Sequence, residues 1–322
     1  MGGRELANTL YLAVPCYNEE EVLHVTAERL LNKMTTLSTE GKISEESKIV
    51  FIDDGSRDST WAIIEQLNAE DSRFAGVKLA RNAGHQNALF AGLMTVRNEA
   101  DMVISIDADL QDDIDAIDKM VDEYRNGCDI VYGVRSNREQ DSFFKRATAE
   151  GYYKLLRSLG CNILFNHADY RLMSSRALCA LAEYREQRLF LRGLAPMVGY
   201  KTAVVEYTRG VREAGESKYP LKRMLTLAID GLLALSLRPL RLITLAGALM
   251  LVVALALLVF SIVKLAMGQT VLDWKIITLS IWAVGGVITL SLGIVGEYVG
   301  RAYQEIKGRP RYNVEKYIGN RD

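Results

Sequence analysis

Short apolar runs alternate with helical patterns through the first part of the chain. The runs have the length of strands, are rich in Val and Ile, and cover residues 10–16, 49–52, 77–80, 102–106 and 130–134. Segments of about three helical turns or more separate them. This alternation predicts an α/β fold in which a mostly parallel sheet carries helices on both faces. In such folds, ligands bind at the carboxyl ends of the strands.

Beyond residue 135 the pattern becomes irregular. It indicates a helical stretch at 143–158, a turn-rich region at 161–170 and another helix from Ser174. From 219 to 239 basic residues oppose leucines, which predicts an amphipathic helix lying on anionic lipid. We therefore assign residues 1–218 to one domain and residues 219–239 to a juxtamembrane helix.

The segment 240–300 has few charges and much of the apolar content of the chain. Two spans, about 242–267 and 276–295, are each long enough for the roughly 20 apolar residues of a bilayer crossing. Arginines and lysines cluster at the outer ends of the pair, and only Lys264 and Lys275 lie near its middle loop. The pattern predicts a two-helix transmembrane hairpin with both termini in the cytoplasm and a tail at 301–322. The alternative is a buried helical hairpin in a soluble domain.

Charge and cysteine content exclude several classes of protein. A net charge of -1 provides no overall basic field, so nucleic acid is not an expected partner. The four cysteines contain no C-x-x-C pair and fit neither a zinc site nor a disulfide framework, which suits a reducing cytoplasm. Residues 1–9 have no apolar core, so we expect no cleavable secretion signal.

A polar motif follows the first predicted strand. Pro15-Cys16-Tyr17-Asn18-Glu19 stands where a dinucleotide-binding fold would place G-x-G-x-x-G. Tyr17 can stack on a base, and Glu19 can accept hydrogen bonds from a base or a ribose. Alternatively, the motif forms only a turn, and Glu19 complements the N-terminus of the next helix.

The second predicted strand ends in Asp53 and Asp54. Adjacent carboxylates repel one another unless hydrogen-bond donors engage them, so this pair predicts contact with a ribose or a uracil imide. Asp58 or Ser59 is assigned to capping the helix that follows.

Asp107-Ala108-Asp109-Leu110-Gln111 follows the fourth predicted strand. The period of a strand puts Asp107 and Asp109 on one side, with Gln111 following. Such a partial oxygen shell suits Mg2+ or Mn2+ holding a diphosphate, whose departing charge the metal neutralises. Four further acids are assigned to a cap and to first-turn charges of the next helix, namely Asp112, Asp113, Asp115 and Asp118.

Two more polar groups lie in the irregular half of the chain. Asp169 stands two residues from Arg171, either as a functional carboxylate or merely as the ion-pair partner of that arginine. Before the amphipathic helix, cations and small donors suit phosphate binding, and the alternative there is a polybasic membrane tether without specificity. The residues concerned are Arg209, Arg212, Ser217 and Lys218.

Six motifs in this order resemble the family-2 glycosyltransferases of the GT-A fold, and among them the polyprenyl-phosphate glycosyltransferases. The motifs occupy residues 15–19, 53–56, 81–84, 107–111, 169–171 and 215–219, and the two-span hairpin follows them. The resemblance implies a nucleotide-sugar donor, an undecaprenyl phosphate acceptor, and a place in a bacterial inner membrane with the catalytic domain in the cytoplasm. Asp112-Asp113-Ile114 departs from the family, because many relatives carry prolines after Gln111.

The resemblance also assigns roles to individual residues. It implies nucleotide binding by Pro15, Tyr17, Glu19, Asp53, Asp54 and Arg81, metal binding by Asp107, Asp109 and Gln111, catalysis by Asp169 as the base together with Arg171, and phosphate binding by Arg212, Ser217 and Lys218.

The implied reaction is inverting transfer of a sugar, with UDP-glucose or UDP-N-acetylglucosamine favoured as donor. A phosphate monoester is already mostly dianionic at neutral pH, so Asp169 is expected to position Arg171 or the sugar as much as to remove a proton. Two rivals remain. A processive polysaccharide synthase would be expected to have more spans and a Q-x-x-R-W motif, and a non-catalytic membrane scaffold would not need the carboxylates. A homo-oligomer is compatible with the sequence.

Overall fold

The computed structural model describes residues 7–136, 167–187, 189–208 and 274–319, with scattered positions between 249 and 267. These residues fall into two compact units. Residues 7–136, 167–208 and 310–319 belong to the first unit, and those between 249 and 309 belong to the second.

An eight-stranded sheet forms the centre of the described part of the first unit. Its strands are β1 (Leu10–Cys16), β2 (Lys48–Asp53), β3 (Phe74–Leu79), β4 (Met102–Ser105), β5 (Ile130–Arg135), β6 (His167–Ser174), β7 (Thr202–Tyr207) and β8 (Val314–Ile318). Their order across the sheet is β7-β5-β6-β4-β1-β2-β3-β8.

The middle of the sheet is parallel and its edges are mixed. β1 pairs in parallel with β2 and β4, β2 pairs with β3, and β5 pairs with β7. β6 runs antiparallel between β4 and β5, and β8 runs antiparallel to β3. Every residue of β1 is buried, as expected for a central strand covered on both faces. The parallel pairing brings the ends of β1, β2 and β4 to one edge of the sheet.

Helices cover both faces of the sheet, as the alternation of apolar runs predicted. One face packs against α1 (Leu23–Thr39), α2 (Thr60–Glu70) and α4 (Ala116–Arg125). The other packs against α3 (His85–Val96), α5 (Ser175–Ala182) and α6 (Leu191–Leu194). A short 3-10 turn, Ala195–Val198, follows α6. The predicted α/β fold with a mostly parallel sheet is therefore confirmed.

The five predicted strands are all present, with ends that differ from the prediction by a few residues. The largest difference is β3, which begins at Phe74 although the apolar run was placed at 77–80. The helix predicted from Ser174 is also present, and the Ser174 hydroxyl caps it by accepting from the amide of Ala177.

Three strands were not predicted. The turn-rich interpretation of 161–170 was wrong at its end, because β6 begins at His167 and carries charged residues that are buried by neighbouring strands. β7 alternates exposed residues with buried or partly buried ones, but apolar Val204 lies on the exposed side, so the alternation does not show in its sequence. β8 comes from residues assigned to a tail, and it gains its apolar contacts only by docking on β3.

The long helix α7 (Trp274–Lys307) lies in the second unit, and the described positions between 249 and 266 are also helical. No helix formed by the described residues combines the length and apolarity that a bilayer crossing requires. The predicted span at 276–295 lies within α7, and most of the span at 242–267 lies outside the described residues, as does the predicted amphipathic helix at 219–239. The membrane hairpin stays a prediction.

Candidate functional site

The loops that follow β1 and β2 are joined by hydrogen bonds. Asn18 has a positive φ of 53°, and its amide donates to the Ser56 hydroxyl at 3.0 Å. Its side-chain oxygen accepts from the amide of Arg57 at 2.9 Å, and the amide of Glu19 donates to the Thr60 hydroxyl at 3.0 Å. The loop that carries the predicted nucleotide-binding residues after β1 is therefore held by the loop after β2.

Asp53 and Asp54 have different surroundings although they are neighbours. Both Asp54 oxygens accept from backbone amides, Oδ1 from Ala83 at 2.6 Å and Oδ2 from Gly84 at 3.0 Å. Burial raises the pKa of Asp54, although these two amides oppose the shift. Asp53 is fully buried, and its Oδ1 accepts from the amide of Ser56. Among the described residues nothing donates to Asp53 Oδ2, and this oxygen is itself buried.

Gly55 allows a third loop to approach the first two. Its φ is +67°, and a Cβ at this position would lie 2.6 Å from the amide nitrogen of Asn82 and 2.7 Å from the carbonyl carbon of Arg81. A side chain would overlap the backbone of residues 81–82, so this contact requires glycine. Residues 81–84 therefore lie against the end of β2, held by Asp54 and by contact with Gly55.

The predicted nucleotide-binding residues differ in exposure. The side chains of Tyr17 and Arg81 are exposed, Glu19 is partly buried, and Pro15 is buried within β1. An exposed aromatic ring such as that of Tyr17 suits stacking on a base.

The segment after β4 is a turn, so the strand period used to place Asp107 and Asp109 on one side was the wrong argument. β4 ends at Ser105, and the amide of Leu110 donates to the carbonyl of Asp107. Leu110 has a positive φ of 46°. The amide of Gln111 then donates to Asp109 Oδ1 at 3.3 Å. The turn, and not a strand, therefore sets the orientation of these side chains.

The pKa of Asp107 is raised by its surroundings. Burial within the cleft, together with Asp112, Asp169 and Asp109, raises the pKa of Asp107 to about 6 against the opposing effect of His85. Its side chain is nonetheless 41% exposed, so a ligand can reach it. A divalent cation would relieve the repulsion between these carboxylates, and the oxygen-only set of Asp107, Asp109 and Gln111 fits Mg2+ or Mn2+.

No group of three His, Cys, Asp or Glu side chains in the described ranges is arranged to hold a metal ion by itself. The predicted set contains only two carboxylates and an amide, so substrate and water oxygens would have to complete the coordination.

Asp112 does not act as the predicted helix cap. It is buried, accepts from the Tyr207 hydroxyl at 2.6 Å, and pairs with the Arg135 guanidinium at 3.3 Å. α4 begins at Ala116, so Asp112 lies too far ahead of the helix to cap it. The prediction of a first-turn charge holds for Asp118.

Asp169 lies on β6 among several donors. The guanidinium of Arg171 donates to its Oδ1 at 2.6 Å, and that of Arg192 donates to its Oδ2 at 3.1 Å. The Gln86 amide donates to Oδ2 at 3.0 Å. Burial alone would raise the pKa of Asp169, but Arg192, His85 and Arg171 outweigh it and hold the pKa well below its usual range. A carboxylate held this strongly in its charged form is a weak base.

His85 connects the two groups of carboxylates. Its Nε2 lies 3.6 Å from Asp169 Oδ2 and 3.9 Å from Asp107 Oδ1. Burial opposes protonation, but the two aspartates outweigh it and raise the pKa of His85. The first residue of α3 therefore brings the predicted metal ligand and the predicted catalytic carboxylate to one imidazole.

Sequence reasoning missed His85, Gln86 and Arg192. A signal for the first two was present, because they follow Gly84 directly and polar side chains at the start of a helix after a strand lie at the ligand-binding edge. Arg192 gave no comparable signal, since α6 has only four residues. The predicted phosphate-binding residues Arg209, Arg212, Ser217 and Lys218 lie outside the described residues.

Residues 11–181 match the sequence profile described as Glycosyl transferase family 2. The chain is similar to the uncharacterized glycosyltransferase YkoT of Bacillus subtilis, with 46% identity over 95% of this chain and 91% of that protein. It is also similar to the SfII prophage-derived bactoprenol glucosyl transferase of Shigella flexneri, with 37% identity over 95% of this chain and 97% of that protein.

Among solved structures, the chain resembles glucosyl-3-phosphoglycerate synthase from Mycobacterium tuberculosis. The identity is 17% and the TM-score is 0.44, over 70% of this chain and 78% of that one. A likeness this distant does not bear on ligand or mechanism. The profile match covers more than half of the chain, and the relatives are aligned over nearly all of it. The chain therefore belongs to the family-2 glycosyltransferases.

Proposed function

We propose that this glycosyltransferase moves one sugar from UDP-glucose or UDP-N-acetylglucosamine to undecaprenyl phosphate. The observation that carries the proposal is the contact of one imidazole, His85, with both Asp107 and Asp169. This contact places Asp107, a candidate metal ligand, near the charged cluster of Asp169 and its arginines. Both lie at the strand ends, where the diphosphate of the donor and the phosphate of the acceptor have to meet. Support for the lipid acceptor comes from the bactoprenol glucosyl transferases at 37% identity.

The donor nucleoside is assigned to the loops after β1, β2 and β3. Tyr17 offers an exposed ring for stacking, and Asp53 Oδ2 is a buried acceptor that the nucleoside would reach once the loops around it open. Glu19 and Arg81 lie on the same joined loops. Asp54 is assigned to holding the 81–84 loop, because backbone amides engage both of its oxygens.

Asp107, Asp109 and Gln111 would hold Mg2+ or Mn2+ at the diphosphate. The bound metal supplies neutralisation of the negative charge that develops as the nucleoside diphosphate leaves. Burial and, to a smaller extent, the carboxylates of Asp112, Asp169 and Asp109 raise the pKa of Asp107 to about 6, and a bound cation would oppose both effects.

The acceptor phosphate attacks the anomeric carbon from the side opposite the leaving group, which inverts the configuration. Such a phosphate is largely dianionic at neutral pH, so it needs orientation more than deprotonation. Asp169 fits an orienting role because its pKa lies well below the usual range. It holds the guanidinium of Arg192, 39% exposed, and the buried one of Arg171 at the site. Arg209, Arg212, Ser217 and Lys218 complete the proposed phosphate site from the segment that precedes the membrane anchor.

Attachment to the inner membrane is part of the proposal, with a two-helix hairpin and the catalytic domain in the cytoplasm. It is supported by the apolar content of segment 240–300. Large apolar side chains are also exposed along α7, among them Ile277, Ile281, Ile288, Leu292 and Val299. Contiguous apolar surface of this kind marks contact with lipid or with protein, including a second copy in a homo-oligomer.

A transfer assay tests the proposed function. Full-length protein in detergent is incubated with undecaprenyl phosphate, Mg2+ and each of a panel of labelled nucleotide sugars, and the labelled lipid is identified by mass spectrometry. We expect one monosaccharide on the lipid from a UDP-sugar, loss of product in Asp109→Ala, and retention in the control Asp115→Ala, whose side chain is 84% exposed. A polymeric product would indicate a processive synthase. Absence of both product and nucleotide-sugar binding would indicate a scaffold.

A further inference from the structure

Residues 311–319 form a segment that contains β8 and lies along the outer edge of β3. We propose that this C-terminal segment is part of the donor site, because it positions the loop of residues 80–84 from the side opposite Asp54. The inference rests on the proposed function in one respect, namely that this loop contacts the nucleotide sugar. It assigns a role to residues that sequence reasoning placed in a tail.

The strand end of the loop is fixed by the backbone of the C-terminal segment. The amide of Ala80 donates to the carbonyl of Asn313 at 3.0 Å. β8 is in register with β3 up to Leu79 and Val314, with an irregularity between Lys78 and Leu79. The last residue before Arg81 is thus held by a hydrogen bond that exists only when the C-terminal segment is docked.

The helix end of the loop is fixed by side chains of the same segment. The Arg311 guanidinium lies over the Phe90 ring, 4.5 Å from its centroid, and donates to the carbonyl of Tyr184 at 3.1 Å. Tyr312 meets Phe90 edge-on, with 6.3 Å between ring centroids. Phe90 belongs to α3, which begins at His85 directly after the loop. Arg311 and Tyr312 therefore hold the helix against which the loop ends.

The loop is consequently held from two sides. Asp54 binds the amides of Ala83 and Gly84 from β2, and the C-terminal segment holds Ala80 and α3. Without the C-terminal segment, residues 81–84 would keep the hydrogen bonds to Asp54 and the contact with Gly55, but Ala80 would lose its hydrogen bond to Asn313. The position of Arg81 for the donor then depends on residues that follow α7.

The middle of β8 provides a control. Lys316 pairs with Glu65 on α2 at 2.7 Å. This ion pair involves an exposed residue of the same strand, and neither partner belongs to the loop or to α3. Lys316→Ala removes a contact of β8 without removing a contact of residues 80–90.

The experiment compares Arg311→Ala, Arg311→Lys and Lys316→Ala with the parent in the full-length protein. Hydrogen exchange measured by mass spectrometry reports the amides of Ala80, Ala83 and Gly84. The transfer assay with the UDP-sugar that the parent uses reports KM for donor and kcat. Loss of a cation–π contact and a charged hydrogen bond is expected to raise loop exchange and donor KM about tenfold in Arg311→Ala. We expect kcat within about twofold of the parent.

Arg311→Lys keeps a cation over Phe90, so its donor KM is expected to lie close to that of the parent. This variant can still be measured if Arg311→Ala does not fold. Lys316→Ala should match the parent in both measurements. Unchanged loop exchange in Arg311→Ala would overturn the proposal, and so would faster exchange with an unchanged donor KM. If the parent transfers no sugar, the proposed function fails, and loop exchange together with UDP affinity then decides the positioning role alone.

Discussion

Gly55→Ala is the perturbation for which the structure gives the clearest magnitude. A Cβ there would lie 2.6 Å from the amide nitrogen of Asn82, whereas ordinary contact begins at 3.4 Å, so the loop must retreat by about 0.8 Å. The positive φ of +67° adds a cost of about 1–2 kcal/mol for a residue with a side chain. Overlap with backbone costs about 1–3 kcal/mol more. We therefore expect a loss of about 3 kcal/mol in the free energy of unfolding.

Gly41→Ala is the matched control. Gly41 has a similar φ of +70°, and nothing lies within 4 Å of a Cβ built there. It should carry only the backbone cost of about 1 kcal/mol. Thermal unfolding of the full-length variants should then differ by roughly 4–8 °C, with Gly55→Ala the less stable.

The displaced loop should also weaken the donor site. A shift approaching 1 Å costs up to about 100-fold when it misplaces reacting groups, so donor KM should rise at least about tenfold in Gly55→Ala and stay unchanged in Gly41→Ala. Equal melting temperatures and equal donor KM values in the two variants would refute the close packing of residues 81–82 on Gly55.

Three further predictions concern the carboxylates. Asp169→Asn should lower kcat about 100-fold, and full recovery of activity at pH 8 would refute the positioning role. The folded pKa of Asp169 lies below its ordinary value of 3.8, so its stabilisation is present above that pH and is lost as the pH falls through the folded pKa. The melting temperatures of parent and Asp169→Asn should therefore differ at pH 7 and begin to approach each other only as the pH falls below about 4. Tyr207→Phe should cost about 1–2 kcal/mol in chemical denaturation, because buried Asp112 loses its 2.6 Å hydrogen bond, and a change under 0.3 kcal/mol would contradict that contact. EDTA should abolish sugar transfer and added Mg2+ or Mn2+ should restore it, whereas transfer persisting in EDTA would rule out the metal proposed at Asp107.

Local sequence patterns were sufficient to predict the central strands β1 and β2, but not β6 and β8. β1 and β2 are short runs of apolar residues that are buried on both faces, so their composition alone identifies them. β6 contains Asp169 and Arg171, which are buried as a pair, and charged residues argue against a strand until their partners are known. β8 carries Glu315 and Lys316, and only the exposed edge of β3 makes it a strand.

The sequence by itself determined the alternating α/β architecture and the family, because strand period, strand length and motif order are properties of neighbouring residues. It also marked the carboxylates at the strand ends. Only the tertiary structure decided their partners: backbone amides for Asp54, Tyr207 for Asp112, and His85 between Asp107 and Asp169. The tertiary structure also decided that the C-terminal segment, residues 311–319, contacts the loop before α3. These contacts join residues far apart in the chain, and their free energies depend on burial and on distances that no local pattern contains.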